Sequence, residues 1–108
     1  MRSVIRTIAA ACCAFLMLIG LNVGSAQAAT VEVKLGTDGG MLAFEPATVN
    51  IKAGDTVKFV NNKLAPHNAV FEGHDEYSHS DLAFNPGESW EETFATAGTY
   101  DFYCEPHR

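Results

Sequence analysis

Tyr100-Asp101-Phe102-Tyr103-Cys104-Glu105-Pro106-His107-Arg108 closes the sequence, and its first five residues alternate in character. In an extended chain Tyr100, Phe102 and Cys104 fall on one face, and Asp101 and Tyr103 on the other. The acidic side chain marks its own face as outward, so the thiol points into an apolar interior. That is a half-buried strand. Pro106 then favours a tight turn, with His107 three positions after the cysteine.

The same period recurs upstream. Thr30-Val31-Glu32-Val33-Lys34-Leu35 puts Val31, Val33 and Leu35 on one face, and Gly36-Thr37-Asp38-Gly39-Gly40 follows as a turn cluster. Thr48-Val49-Asn50-Ile51-Lys52, closed by Ala53-Gly54-Asp55, is a second strand. Thr56-Val57-Lys58-Phe59-Val60, ending at Asn61-Asn62, is a third. Ala69-Val70-Phe71 is a short fourth, beyond a loop that contains Pro66 and His67. Residues 72–84 are polar and uneven, and read as loop or one irregular helical turn. Asn85-Pro86-Gly87-Glu88 signals a β-turn. The run from Ser89 to Phe94 is strand-like, with Trp90 and Phe94 on one face and Glu92 breaking the alternation. No segment sustains helical periodicity. Short strands separated by Gly and Pro turns predict an all-β protein, a small sandwich or barrel.

The N-terminus reads as a secretory leader over residues 1–28. Arg2 and Arg6 form a basic start, residues 8–21 are almost wholly apolar, and Ala26-Gln27-Ala28 supplies small residues for cleavage. The apolar run is short for a membrane span, and a retained anchor is the lesser alternative. Cleavage after Ala28 leaves one domain of 80 residues, 29–108, with Cys104 as its single cysteine. An exported domain with one thiol has no internal disulfide, so the thiol needs another explanation. The formal charge of −6 becomes −8, because Arg2 and Arg6 leave while all thirteen acidic residues stay. A balance this acidic argues against nucleic acid, whose phosphates it could not neutralise. It suits a solvated surface, or steering toward a basic partner.

Two explanations of Cys104 compete. A buried free cysteine is often a small hydrophobe in the core; here the neighbours favour a thiolate ligand. His67 follows Pro66 in a loop at a strand start, where its side chain can be aimed, and His107 lies across the turn from Cys104. One thiolate and two imidazoles suit copper, the divalent first-row ion that binds such donors most tightly. Structural zinc would want a closed set of four, and no second Cys-x-x-Cys or His-x3-His pair is present. His74 and His79 are the residues that would complete a zinc site, but they sit in the polar loop and read rather as solvated surface histidines. Nothing in the sequence signals an acid–base pair, a second metal cluster or a substrate pocket.

Five segments, taken in order, then carry a resemblance: Gly39-Gly40-Met41-Leu42-Ala43-Phe44-Glu45-Pro46, Ile51-Lys52-Ala53-Gly54-Asp55, Asn61-Asn62-Lys63-Leu64-Ala65-Pro66-His67-Asn68, Pro86-Gly87-Glu88-Ser89, and the stretch from Gly98 to Arg108. Across essentially all of 29–108 the chain resembles the plastocyanins of cyanobacterial type, in the cupredoxin or type 1 blue-copper family. The resemblance implies a cupredoxin-like Greek-key β-sandwich binding one copper ion through His67, Cys104 and His107, with Asn68 hydrogen-bonding the two ligand loops together. It implies that Gly40, Leu42 and Pro66 lie in a flat apolar patch around the second ligand histidine. Tyr103 would lie on the side surface beside Cys104, and Arg108 would be a partner-facing charge. Leu42 as core, Tyr103 as an exposed strand aromatic and Arg108 as a mere terminal charge are the plain alternatives. The implied function is electron transport by a monomer that is not an enzyme. It would take one electron from cytochrome f and pass it to photosystem I in brief encounters in the thylakoid lumen, with the periplasm as the alternative location.

The departure is at the C-terminal end. Plastocyanins continue past this histidine with a Gly-rich turn, an axial methionine and a final strand. Nothing follows Arg108 in this sequence, so the domain is expected to be incomplete there, to lack that strand, and to leave the Cys104 strand with an exposed edge. Met41, the one methionine after residue 28, falls in the patch region and not at an axial position. Two other readings stay open. One is a different copper protein, such as a periplasmic cupredoxin serving a redox enzyme or a copper chaperone. The other is a fragment that folds poorly or holds copper without an axial thioether.

Overall fold

A computed structural model describes residues 1–8, 28–63 and 65–107 of the chain. Among them, nine strands pair into two sheets. In chain order they are β1 (Arg2–Ile8), β2 (Thr30–Leu35), β3 (Phe44–Glu45), β4 (Thr48–Lys52), β5 (Thr56–Asn61), β6 (His67–Phe71), β7 (His79–Ala83), β8 (Ser89–Thr93) and β9 (Gly98–Tyr103). The larger sheet runs β4-β1-β9-β6-β7 and the smaller β3-β2-β5-β8. Alternating strands give each sheet one apolar face, and the two faces close on each other as a sandwich.

The alternating stretches became strands for the reason their patterns suggest. Val33 and Leu35 of β2 and Val57 and Phe59 of β5 are buried from the small sheet. Val49 and Ile51 of β4, Phe71 of β6, and Tyr100 and Phe102 of β9 are buried from the large one. Phe102 is the hub, with ring centroids 4.6 Å from Phe44, 4.9 Å from Phe71 and 5.6 Å from Phe59. Trp90 lies half-buried on Phe59 at 5.3 Å, on the inward side of β8 with Phe94. Glu92 shares that side, as its position in the pattern required, and burial pushes its carboxyl up. The polar intrusion is carried on an outer strand of its sheet.

Turn chemistry fixes the strand ends. The Asp55 carboxylate accepts from the backbone N–H of Ala29 at 2.9 Å and of Lys52 at 3.0 Å, which holds its carboxyl below the usual range. It thereby ties the β4–β5 turn to the start of β2. Gly36 takes a positive φ of 89°, and a Cβ there would run into the Lys63 carbonyl. Only glycine lets this turn lie against the loop that leads to β6.

Three features depart from expectation. Residues 72–84, read as loop or one helical turn, contain a 3-10 turn at Asp75–Tyr77 and also the strand β7. His79-Ser80-Asp81-Leu82-Ala83 is mostly exposed, so it lacks the alternation that betrays a strand. Arg2–Ile8, read as the start of a leader, forms β1, paired in parallel to β4 and antiparallel to β9. In consequence β9 has no open edge: β1 and β6 flank it. The exposed edge expected beside Cys104 is corrected on that ground, since backbone pairing is supplied by whichever strand reaches the position. The rest of the leader, residues 9–27, lies outside the described residues, as does Arg108.

Candidate metal centre

Adjacent strands of the large sheet bring the three donors together. Val70 and Phe71 of β6 pair with Tyr103 and Phe102 of β9, which sets the two ligand-bearing segments side by side. His67 opens β6 and is fully buried; Cys104 follows β9 and is fully buried too. The residues after the cysteine wind into a 3-10 turn, Glu105–His107, closed by the His107 N–H donating to the Cys104 carbonyl at 3.1 Å. That turn returns the His107 ring toward the sulfur. Cys104 Sγ lies 3.6 Å from His67 Nδ1 and 3.6 Å from His107 Nδ1, and the two rings meet edge to face at 4.9 Å. One donor atom from each residue lies within 4.8 Å of the other two.

The arrangement fits a single ion. Bonds of about 2.0–2.3 Å at trigonal angles place donors roughly 3.7 Å apart, close to the sulfur–nitrogen separations observed. The His67 tautomer fits as well. Its Nε2 contacts the Lys63 carbonyl, which can only accept, so the proton sits on Nε2 and Nδ1 presents a bare lone pair. Burial lowers the pKa of both imidazoles, His67 further through its neighbour His107 and His107 further through the N-terminal charge. Burial pushes the Cys104 thiol up, against the pull of the Asn68 and His107 backbone N–H groups that face its sulfur. A cation in the triangle would favour the thiolate and cost the neutral imidazoles nothing. Neutral nitrogen donors around one soft sulfur suit copper.

Asn68 is the clamp between the ligand segments. Its Oδ1 accepts from the Glu105 N–H at 2.9 Å, and its Nδ2 donates to Glu105 Oε1 at 3.0 Å and to the Ser80 carbonyl at 3.1 Å. The residue after one ligand is thus bonded to the residue after another, and Asn68 also to Ser80 of β7. Three participants were not singled out from the sequence: the Lys63 carbonyl, Glu105 and Met1. Backbone carbonyls carry no sequence signal, and Glu105 reads as a turn acid until Asn68 is seen opposite it.

The other residues singled out are dispersed more widely. Met41 is 67% exposed and Leu42 50%, so Leu42 is not core. Their loop is pinned to the one before His67: Asn62 Nδ2 donates to the Gly36 carbonyl and Asp38 Oδ1, each at 2.9 Å, and Lys63 Nζ to the Asp38 carbonyl at 2.8 Å. Gly40 is exposed at the tip, with φ 88°, and Pro66 is half-buried. Phe84, 61% exposed, joins the same end: Asn61 Nδ2 donates to the carbonyls of Ala83 and Asn85 on either side of it. Tyr103 is half-buried beneath the Arg2 guanidinium, 5.2 Å from its ring centre. His74 meets Glu76 at 3.2 Å, and His79 stacks on Trp90 at 3.9 Å; neither joins the cluster.

Comparison with known proteins follows the geometry. A family model for copper binding proteins of the plastocyanin/azurin family matches residues 31–108. A plastocyanin from Nostoc punctiforme is 48% identical over 97 residues, covering 78% of this chain and 70% of that protein. A chloroplastic plastocyanin from Tetradesmus obliquus is 51% identical over 92 residues, covering 78% and 62% respectively. Among solved structures, a mutant fern plastocyanin superposes with a TM-score of 0.63 at 30% identity, covering 71% of this chain and 88% of that one.

Proposed function

The chain belongs to the plastocyanin/azurin family of copper-binding proteins, and from that premise we propose that it carries single electrons from cytochrome f to photosystem I in the thylakoid lumen. Copper held by His67, Cys104 and His107 supplies the Cu(I)/Cu(II) couple. The observation that carries the reading is the donor triangle, with Cys104 Sγ 3.6 Å from each imidazole nitrogen. The chain's own part is to keep that triangle fixed. Strand pairing of β6 with β9 sets the spacing, the Lys63 carbonyl fixes the His67 tautomer, and Asn68 locks the two ligand segments. Donors held by backbone pairing and by these hydrogen bonds move little when the charge between them changes, which favours fast electron exchange over substrate turnover. Burial of His67 and Cys104 keeps water from the sulfur.

Exposed Met41 and Leu42, on a loop bonded to the one before His67, support an apolar contact surface at this end. A small apolar contact suits the weak, brief encounters of redox partners. A leader-like N-terminus and a chloroplastic relative support placing the protein in the lumen. The test has two arms. One equivalent of Cu(II) should give the chain an intense visible absorption that Cys104→Ser abolishes, and reduced cytochrome f should bleach it in stopped flow. Colour that survives Cys104→Ser removes the thiolate assignment. Copper that a chemical reductant bleaches but reduced cytochrome f does not removes the partner.

A further inference from the structure

β7 is the outer strand of the large sheet, and its ladder to β6 is interrupted. His67 pairs with Ala83 and Ala69 with His79. Two steps along β6, 67 to 69, therefore face four along β7, 79 to 83, and the surplus pushes β7 out as a bulge. Asn68 sits opposite that bulge, where its Nδ2 reaches the Ser80 carbonyl at 3.1 Å. One bond of the clamp between the ligand segments thus depends on where a bulged strand puts its backbone.

Side-chain alternation does not settle that position. Ser80, Asp81 and Leu82 are exposed in succession, and a strand without a buried period has a weakly specified register. The anchors lie at the two ends. Ala83 is buried, and Asn61 Nδ2 donates to its carbonyl at 3.2 Å. At the other end the Ser78 hydroxyl holds the preceding turn, accepting from the Phe71 N–H at 2.9 Å. The next side chain, His79, crosses to the other sheet. Its ring lies on Trp90 of β8, with centroids 3.9 Å apart and planes 12° from parallel. Trp90 lies in turn on Phe59 of the core, at 5.3 Å and 21°. The contact between β7 and β8 is one of faces: among the described residues, His79 Nδ1 and Trp90 Nε1 are buried without a hydrogen-bond partner. Burial in the same seam pushes up the carboxyl of Glu92, two residues beyond Trp90.

We infer that His79, through its stack on Trp90, is a positioning residue of the metal centre. It is not one of the three donors. The stack fixes β7 across the seam, β7 fixes the Ser80 carbonyl, and that carbonyl fixes Asn68 between the segments that carry Cys104 and His67. A histidine in a polar stretch of sequence is in this way tied to the sulfur-bearing turn from the far side of β6. That the held geometry serves copper rests on the copper reading; the mechanical link does not, and the two are measured apart.

In the metal-free full chain the readout is hydrogen exchange of the Glu105 N–H, which donates to Asn68 Oδ1. His79→Ala should speed it about tenfold while the amides of β2 and β5 keep the parent's rates. His79→Phe, which retains a flat ring, should restore the parent's rate. Trp90→Leu should act in the same direction, and the double variant should exchange no faster than the faster single one. An unchanged Glu105 rate overturns the proposal, and so does an equal acceleration of every amide, which would make the stack a matter of general stability. If His79→Ala does not fold, His79→Leu, which fills the space without a flat face, is read in the same way, and the parent's rate overturns the proposal. In the copper-loaded chain, His79→Ala should shift the visible band that depends on Cys104, and His79→Phe should return it; a band that stays in place in His79→Ala overturns the role at the metal. A parent chain that shows no such band refutes the copper reading instead, and the exchange rates then decide the link to Asn68.

Discussion

At the scale of single residues, the metal centre depends on groups that bind nothing themselves. Asn68→Ala removes three partly buried bonds and leaves the Glu105 N–H and the Ser80 carbonyl without that side chain. The metal-free chain should lose about 2–3 kcal/mol in urea unfolding; a loss below about 0.5 kcal/mol would show that the clamp is dispensable. The imidazoles set a pH dependence. His67 and His107 are both held below their ordinary value of 6.5, so the unfolded chain binds more protons than the folded one as pH falls through that value. Their stabilisation is complete above about 6.5 and is lost below it. The thermal midpoint of the metal-free chain should therefore fall between about pH 7 and about pH 5, and His107→Gln should flatten the fall. A level midpoint in the parent contradicts it. Asp55, also lowered, acts in a separate window beneath its ordinary 3.8.

At the scale of strands, what was legible was alternation. β2 and β4 have the bounds their patterns predict, β5 runs one residue further, and β9 buries Tyr100 and Phe102, with Cys104 just after it buried as the parity requires. Phe102→Ala on β9 should cost about 3–5 kcal/mol, because its ring touches both sheets; a cost under about 1 kcal/mol would mean that the core closes around the gap. β7 was illegible because Ser80, Asp81 and Leu82 are exposed in succession and show no alternation, and β3 because two residues carry no period. β1 does alternate, with Ser3, Ile5 and Thr7 inward, but small polar residues on the buried face resemble the start of a leader as much as a strand. The donor triangle was legible because thiol and imidazole are rare chemical types at fixed spacing. Its supports were not, because a carbonyl such as that of Lys63 gains a role only through tertiary contact.

At the scale of the whole molecule, the N-terminal ammonium donates to the His107 carbonyl across 2.7 Å, so the first and last described residues touch. Covalent order and spatial order are therefore separable, and the chain can be circularly permuted. A bridge of a few residues leading back to Met1, with new termini at Ala28 and Ile8, would keep every strand pairing and delete the long connection before β2. Such a permutant should unfold at or above the midpoint of the parent, since tying β1 closely to the Cys104 turn shortens the loop that folding must close. Unfolding well below the parent would show that the connection through residues 9–27 does more than join two strands.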